Sequence, residues 1–225
     1  MSSQVGDASN ALLHAFTDSV APVGTVSTPL TTIFFAAMDV SIGFFNVNLI
    51  RSSVFVNVYV GITGRNEEHL KSTVAELEKL GVKAAYSVFD VEEMAQVEQG
   101  VASIASQLGG IDILINNAGV GDFGSFEDMP VETWEKVMKV NLFGVYYVAK
   151  ATLPYIKQNK EGDIVNVAST AGLKGGPNMS AYCASKAAVT SLSQSLMAEL
   201  RKFNIRVITL TPSTIATDMS IEGVS

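Results

Sequence analysis

The chain has few of the residues that build metal sites and disulfide frameworks. Cysteine occurs once, as Cys183, which excludes an internal disulfide and a cysteine-rich zinc site. Histidine occurs only as His14 and His69, too few and too isolated for a histidine metal cluster, so no metal is expected. Basic residues are also scarce, because 15 lysines and arginines stand against 22 acidic residues and leave a net charge of −7. That charge argues against a nucleic-acid backbone as a partner.

The sequence does contain enough apolar material for a buried core. Of its 225 residues, 48% are hydrophobic, which is too high a fraction for an intrinsically disordered chain. A chain of this length suits one large domain better than two. We therefore expect a single, soluble, cytoplasmic domain.

The amino-terminal segment differs in character from the rest of the chain. Lysine and arginine are absent from its first 50 residues, and residues 30–50 are mostly apolar. On length alone this stretch could span a membrane, but Asp39, Asn46 and Asn48 lie within it and it lacks a cationic flank. A buried strand and helix, or a segment that packs poorly, are the other interpretations. No helix period, cap or motif decides between them.

From residue 54 onward, strand-like and helix-like segments alternate. The continuous β-branched and aromatic run Val54–Ile62 predicts a strand buried on both faces, and Asn66 is suited to cap the helix that follows. A second helix has apolar residues spaced by three and four, at Met94, Val97, Val101, Ile104 and Leu108. The remaining predicted strands are 84–89, 111–115, 164–168 and 205–210, and the remaining predicted helices are 131–157 and 181–203.

This alternation predicts an α/β fold, in which a doubly wound parallel sheet carries helices on both faces. Ligands of such folds bind beyond the carboxyl ends of the strands. The residues that follow the predicted strands are therefore the candidates for a binding or catalytic site.

Polar or small residues follow several predicted strands at this edge. Arg65 offers a cationic fork for a 2′-phosphate, although it is equally a solvated arginine. Asp90 and Val91 can hold and cover an adenine, or form an ordinary helix cap. The segment Asn116-Asn117-Ala118-Gly119 lets a flat ring or a sugar approach the backbone, or makes a plain turn. Ser169 can hydrogen-bond a substrate carbonyl.

Two tyrosine–lysine pairs have the four-residue spacing that places both side chains on one helix face. They are Tyr146 with Lys150 and Tyr182 with Lys186. An ammonium beside a phenol is expected to lower the tyrosine pKa towards the range of a general acid. Only the second pair follows a serine at a strand end, Ser169, with small residues in the intervening loop. We therefore interpret Tyr182 and Lys186 as catalytic and the other pair as structural.

Taken together, these motifs resemble the short-chain dehydrogenase/reductase family, in particular its 3-oxoacyl-[acyl-carrier-protein] reductase-like members. The resemblance runs from about residue 58 to 219, and it includes Asn141 in a Val-Asn-Leu-Phe-Gly stretch and the motif Tyr182-Cys-Ala-Ser-Lys186. It implies a Rossmann-like fold and an enzyme that reduces a carbonyl, such as a 3-oxoacyl thioester, to an alcohol with a nicotinamide cofactor. NADP(H) is the expected cofactor because of Arg65, with NAD(H) as the alternative.

The resemblance also implies roles for individual residues. Tyr182 would protonate the substrate oxygen as hydride arrives, and Lys186 would lower the tyrosine pKa and bind the nicotinamide ribose. Ser169 would hold the carbonyl, and Asn141 would anchor a water that connects Lys186 to solvent. The cofactor would be lined by Arg65, Asp90, Val91, Asn117, Ala118, Gly119, Tyr182, Lys186, Pro212, Ile215 and Thr217.

The resemblance implies a homo-oligomer, a dimer or a tetramer, because members of this family pair subunits through the two long helices that follow Asn141. The small or apolar residues expected at that contact are Val145, Val148, Ala149, Thr152, Ala187, Ala188, Ser191 and Ser195. A small carbonyl or acyl-thioester substrate is the other expected partner.

The chain departs from the family pattern at its two ends. No Thr-Gly-x-x-x-Gly-x-Gly loop, whose backbone amides receive the cofactor pyrophosphate, occurs in residues 1–57. The helical segment and last strand expected after Thr217 are also missing. We therefore expect an atypical segment over residues 1–53 and a Rossmann-like catalytic domain over residues 54–225 without its carboxyl-terminal strand. The alternative function is a non-catalytic or defective family member that binds without turnover.

Overall fold

Six parallel strands form one sheet in the part of the chain that the structure, a computed structural model, describes: residues 31–36 and 58–213. The strands are β1 Thr31–Ala36, β2 Val58–Gly64, β3 Lys83–Val88, β4 Ile113–Asn116, β5 Gly162–Val167 and β6 Ile205–Leu210. Their order across the sheet is β3-β2-β1-β4-β5-β6. The strand order therefore reverses between β1 and β4, which is where doubly wound sheets bind ligands.

Helices connect the strands from β2 onward. The α-helices of the described residues are α1 Glu67–Lys79, α2 Met94–Leu108, α3 Val131–Met138, α4 Val145–Gln158 and α5 Ser180–Leu200. A π-helical stretch, Lys139–Gly144, joins α3 to α4, and 3₁₀ turns follow β5 and α5 at Thr170–Gly172 and Arg201–Phe203. This alternation confirms the predicted Rossmann-like α/β fold.

Most predicted elements lie where the sequence pattern indicated them. Helix α2 spans the residues of the predicted apolar face, and strand β6 has its predicted bounds. Asn66 caps α1, because its side chain accepts a hydrogen bond from the His69 N–H at 3.1 Å. Strand β2 begins at Val58, and the earlier part of the predicted strand, residues 54–57, lies outside the described part.

The apolar stretch near the amino terminus contains a buried strand, one of the interpretations that the sequence left open. Ile33 and Phe34 of β1 are 5% and 0% exposed, and β1 pairs with both β2 and β4. Among the described residues, no helix is long and apolar enough to cross a membrane. Residues 1–30, 37–57 and 214–225 lie outside the described part.

Helices cover both faces of the sheet within the described ranges. Helices α2, α4 and α5 pack on one face, where Phe34, Leu114 and Ile164 of the strands form the main core with them. Helix α1 packs against β2 and β3 on the other face, through Leu70 and Leu77. The core thus supports the carboxyl edge of the sheet on which the candidate site residues lie.

The small and apolar residues of α4 face this core rather than solvent. Four of them are no more than 6% exposed, namely Val145, Val148, Ala149 and Thr152. The expectation that these four residues form a subunit contact is wrong, because they are buried within the chain itself. Of the α5 residues expected at that contact, the exposed ones are Ala187, Ser191 and Ser195, and Ala188 is half-buried.

The long helical region predicted over residues 131–157 consists of two α-helices with the π-helical stretch Lys139–Gly144 between them. Asn141, in the middle of this stretch, is fully buried. Gly144 permits the close packing, since a Cβ there would lie 2.9 Å from Val91 Cγ2. Wide turns of this kind occur often at functional sites, and this one directs Asn141 inward.

Candidate active site

Ser169 begins the loop after β5, at the carboxyl edge of the sheet. Its hydroxyl accepts a hydrogen bond from the Ala171 N–H at 3.1 Å, which opens the 3₁₀ turn. The next N–H, that of Thr170, donates to the Pro212 carbonyl at 3.0 Å and ties the loop to the end of β6. Gly172 lets the turn pack on α5, because a Cβ there would lie 2.6 Å from the α5 backbone. The serine is therefore fixed against the first turns of α5.

Tyr182 lies in the first turn of α5, and its phenol is close to the Ser169 hydroxyl. Burial raises the pKa of Tyr182 above its usual value, the Ser169 hydroxyl lowers it in part, and the neighbouring Cys183 raises it. The net direction is upward. The phenol is therefore protonated at neutral pH.

Lys186 lies one turn further along α5 and is buried. Its ammonium donates a hydrogen bond to the Val167 carbonyl at 2.8 Å, and its Nζ lies 5.8 Å from the centroid of the Tyr182 ring. Burial lowers the pKa of Lys186 to about 8. The expected lowering of the Tyr182 pKa by Lys186 is not found, because the ammonium is bound to the carbonyl of β5 and burial dominates at the phenol.

Asn141 connects the π-helical stretch to two neighbouring elements. Its Oδ1 accepts a hydrogen bond from the Val120 N–H at 2.8 Å, and its Nδ2 donates to the Val120 carbonyl at 2.9 Å and to Ser185 Oγ at 3.0 Å. Ser185 in turn donates to the Tyr182 carbonyl at 2.8 Å. Ser185 is a site residue that sequence reasoning missed, although it stands inside the tyrosine–lysine motif. Together these bonds hold the first turn of α5 against the loop after β4.

The Asn-Asn-Ala-Gly segment lies at the point where the strand order reverses. The N–H groups of Asn117 and Ala118 both donate to the Ala36 carbonyl, at 2.9 and 2.7 Å, so the segment is held against the end of β1. Gly119 comes next, and a Cβ there would lie 3.4 Å from Lys186 Nζ. The absence of that Cβ keeps the space beside the ammonium free of a side chain.

The residues predicted to bind the adenosine end lie together at the ends of β2 and β3. Arg65 Nη1 is 3.9 Å from Asp90 Oδ2, and both side chains are partly exposed. Asp90 also closes a turn, since its Oδ1 accepts a hydrogen bond from the Glu92 N–H at 3.0 Å. Val91 is only 3% exposed and packs against Gly144. Arg65 and Asp90 are therefore accessible to a ligand, whereas Val91 supports the π-helical stretch.

The residues predicted at the nicotinamide end are described only in part. Pro212 follows β6, and its carbonyl lies beside the Ser169 loop through the bond from Thr170. Ile215 and Thr217 lie outside the described residues. Their role stays a prediction.

Phe123 contacts Tyr182 and was not among the predicted site residues. The two ring centroids are 5.8 Å apart and the rings are inclined at 65°, an edge-on arrangement. The Gly124 N–H donates to the Asn178 carbonyl at 2.9 Å, which ties the loop after β4 to the loop before α5. An aromatic residue soon after the Asn-Asn-Ala-Gly segment was the available signal.

The family model described as short chain dehydrogenase matches residues 52–224. The chain belongs to this family. The match includes strands β2 to β6 and every candidate site residue named above. It confirms the resemblance on which the sequence interpretation rested.

Curated members of the short chain dehydrogenase family are similar to this chain over about two thirds to three quarters of its length. A 3-oxoacyl-[acyl-carrier-protein] reductase of Thermotoga maritima is 37% identical over 69% of this chain and 63% of its own. A protein of Xanthobacter autotrophicus named inactive 2-(S)-hydroxypropyl-CoM dehydrogenase 2 is 38% identical over 75% of this chain and 73% of its own. Gluconate 5-dehydrogenase of Gluconobacter oxydans is 34% identical over 72% and 63%. The chain thus spans a little under two thirds of the reductase and of the gluconate enzyme.

Solved structures of related dehydrogenases and reductases have the same fold as this chain. An actinorhodin polyketide ketoreductase with NADPH superposes with a TM-score of 0.77 at 30% identity, over 85% of this chain and 74% of its own. An NAD⁺-bound xylitol dehydrogenase superposes with a TM-score of 0.73 at 30% identity, over 81% of this chain and 70% of its own. These likenesses support the Rossmann-like fold described above.

Proposed function

We propose that this protein is an oxidoreductase that reduces a carbonyl group, of the 3-oxoacyl-thioester class, to an alcohol with a nicotinamide cofactor. The observation that carries the proposal is that Ser169 and Tyr182 lie together at the carboxyl edge of the sheet, with the buried ammonium of Lys186 one turn further along α5. Membership of the short chain dehydrogenase family and the similarity to 3-oxoacyl-[acyl-carrier-protein] reductases support this reaction class.

Tyr182 acts as the general acid in this proposal. Its pKa is raised by burial, so the phenol holds its proton at neutral pH and can donate it to the substrate oxygen. The Ser169 hydroxyl contacts the same phenol and is therefore positioned to hold and polarise the carbonyl. This arrangement favours the direction of reduction, because the acid is already protonated.

The residues around Lys186 fit a dinucleotide. Within the described residues, the buried ammonium makes one hydrogen bond, to Val167, so its other N–H groups are available for ribose hydroxyls. Gly119 keeps side-chain atoms away from that place. When bound, the cofactor supplies hydride to the carbonyl carbon. In this proposal Asn117, Ala118 and Gly119 line its path, and Asn141 anchors a water beside Lys186.

The remaining proposed cofactor contacts lie at the adenosine end and the nicotinamide end of the cofactor. Arg65, Asp90 and Val91 serve the adenosine end, and Pro212, Ile215 and Thr217 serve the nicotinamide end. Arg65 favours NADP(H) over NAD(H), since its guanidinium is suited to a 2′-phosphate. The carboxylate of Asp90 lies near the Arg65 guanidinium and competes with a 2′-phosphate for it. The preference is therefore limited, and NAD(H) remains a usable cofactor.

The cofactor preference is tested by comparing the dissociation constants of NADPH and NADH. Unmutated protein is expected to bind NADPH more tightly, and Arg65→Asp is expected to erase or reverse the preference. Equal use of both cofactors by the unmutated protein contradicts the assignment of Arg65.

A second candidate function is a non-catalytic or defective family member that binds cofactor weakly. It is favoured by one observation, the absence of a Thr-Gly-x-x-x-Gly-x-Gly loop in residues 1–57. Two lost hydrogen bonds to a charged pyrophosphate, at roughly 1.5–3 kcal/mol each, weaken binding by about a hundredfold or more. A curated relative that carries the word inactive in its name is consistent with such members.

Fluorescence titration with NADPH, followed by turnover of an acetoacetyl thioester, separates the two functions. Saturable binding with turnover supports the reductase, and weak binding without turnover supports the defective member. A chimera in which a complete family strand–loop–helix replaces residues 1–57 is expected to recover binding. The replacement must include a strand, because β1 occupies the middle of the sheet.

We also propose that the protein forms a homo-oligomer through α4 and α5. The exposed residues of this region include the aromatic side chains of Phe143 and Tyr146, 46% and 43% exposed, and the small Ala187 and Ser191 on α5. Aromatic residues are enriched at protein interfaces. Light scattering that finds only monomer at micromolar concentration contradicts this proposal.

A further inference from the structure

The ring of Phe123 borders the hydroxyl groups that the proposed reaction uses. It meets the Tyr182 ring edge-on, with 5.8 Å between the centroids, and the Ser169 hydroxyl lies close to the Tyr182 phenol. Phe123 is 41% exposed, so part of its ring also faces outward beside Tyr182. The surroundings of the candidate acid are therefore divided into a polar part, formed by Ser169, and an apolar part, formed by Phe123.

The position of Phe123 is fixed by the loop that carries it. The Gly124 N–H donates to the Asn178 carbonyl at 2.9 Å, which joins this loop to the one that leads into α5. Immediately afterwards the chain forms a turn, in which the Asp128 N–H donates to Ser125 Oγ at 3.2 Å. The loop that carries Phe123 is thus held to the loop that leads into α5 and Tyr182. A substrate therefore meets the Phe123 ring in a defined place.

The polar hydroxyls of Ser169 and Tyr182 and the apolar ring of Phe123 favour different substrate groups. The Ser169 and Tyr182 hydroxyls can satisfy one substrate oxygen, the carbonyl oxygen itself. A group next to the carbonyl then lies against the Phe123 ring, which offers no conventional hydrogen-bond partner. An apolar group gains contact there, whereas a hydroxyl group loses its water without replacement.

We propose that Phe123 is a specificity-determining residue, which selects carbonyl substrates with an apolar group beside the carbonyl over polyhydroxylated ketones. The proposal rests on the proposed function for the position of the carbonyl. It distinguishes between substrate classes of the kinds named for the relatives, because 3-oxoacyl chains are apolar and sugar acids are polyhydroxylated.

The test compares 2-heptanone with 1,3,4-trihydroxybutan-2-one, an open-chain ketone with the same number of non-hydrogen atoms. Binding to the full chain is measured by ligand-observed NMR without cofactor, and kcat/KM is measured with NADPH. The unmutated protein is expected to prefer 2-heptanone by at least about tenfold, the size of effect that apolar pocket contacts produce. Phe123→Ala is expected to remove most of this preference through weaker use of 2-heptanone, and Phe123→Leu to keep it.

Phe126→Ala is the matched control, because Phe126 lies in the same loop and is 81% exposed. It is expected to leave the preference unchanged, and thermal unfolding of each variant verifies that it folds. A preference that survives Phe123→Ala, or that is absent from the unmutated protein, overturns the proposal, and so does failure to bind either ketone. If the binding preference depends on Phe123 but no carbonyl is turned over, the specificity proposal stands and the proposed reaction fails.

Discussion

The two tyrosine–lysine pairs of this protein share a spacing but differ in burial and in hydrogen-bond partners. On α4, Lys150 Nζ donates directly to Tyr146 Oη at 3.2 Å, and both side chains are exposed. On α5, Lys186 is buried and donates to a strand carbonyl instead, while the phenol of Tyr182 is largely buried and lies near the Ser169 hydroxyl. The pair with the direct contact is thus the one that lies in solvent.

The comparison shows that helical spacing alone does not make a site. A four-residue step brings a phenol and an ammonium to one helix face in both cases. The difference comes from strand β5, which provides the Val167 carbonyl for Lys186 and leads directly to Ser169. Burial then perturbs the pKa values of Tyr182 and Lys186, as is common at functional sites.

The largest expected difference between the pairs is in catalysis. Tyr182→Phe removes one proton donor and little volume, so carbonyl reduction should fall by at least about a hundredfold, while cofactor binding changes little. Steady-state kinetics and NADPH titration measure the two effects. Tyr146→Phe should retain full activity, and an equal loss in both variants would indicate a folding effect rather than an acid.

The pairs should also differ in the pH dependence of stability. Burial lowers the pKa of Lys186 to about 8 from its ordinary 10.5. Between these values the unfolded chain binds a proton that the folded protein lacks, so the free energy of unfolding rises as pH rises from about 8 to 10.5, and it falls by the same amount as pH falls from 10.5 to about 8.

This contribution should be on the order of 3 kcal/mol. Urea unfolding across this pH range should show the rise in unmutated protein and in Lys150→Met, but not in Lys186→Met. If Lys186→Met shows the same rise, the pH dependence does not come from the buried ammonium of Lys186.

A smaller effect is expected from the serine that only the second pair has. Ser169→Ala removes the hydroxyl that lowers the Tyr182 pKa, so that pKa should rise further. Carbonyl reduction should fall by roughly tenfold, because one of two groups that hold the carbonyl is lost. ¹³C-tyrosine NMR, with Tyr182→Phe to identify the resonance, measures the pKa. Ser191→Ala on the exposed side of α5 serves as the control, and an unshifted tyrosine in Ser169→Ala would refute the contact.

The smallest effect concerns the link from α5 to Asn141. Ser185→Ala removes the bonds to the Tyr182 carbonyl and from Asn141, and should cost about 1 kcal/mol of stability. Thermal unfolding measures it, with exposed Ser195→Ala as the reference. Indistinguishable melting temperatures in the two variants would mean that the link stabilises nothing.

The fold was predictable wherever a local pattern carried the information. Helix α2 and strand β6 follow from apolar spacing alone. The π-helical stretch does not, since no apolar spacing in Lys139–Gly144 marks a wide turn, and that turn is accompanied by distant contacts of Asn141 with Val120 and of Gly144 with Val91. Strand β1 likewise depends on pairing with β2 and β4.

The candidate site shows the same division. Ser169 and Tyr182 were predicted as a pair because a strand end and a helix motif both mark them, and the structure places both at the carboxyl edge of the sheet; their catalytic roles stay a prediction. Phe123 was missed, since a loop residue has no periodicity to reveal what it faces. The buried side of α4 was assigned to a partner subunit because the family resemblance implied a contact there and its residues are small or apolar. Such residues suit a subunit contact and a buried core equally well.

Strand β1 has a consequence for how the molecule assembles. Among the described residues, β2 and β3 meet the strands β4, β5 and β6 only through these six residues, Thr31–Ala36. A polypeptide without them would carry every candidate catalytic side chain, but its sheet would be divided into a two-stranded and a three-stranded piece. The facing sides of β2 and β4 would then be unpaired edges rich in apolar residues, the kind of edge that recruits strands from other molecules. Loss of β1 should therefore be seen first as aggregation, before any change in the chemistry of the site could be measured.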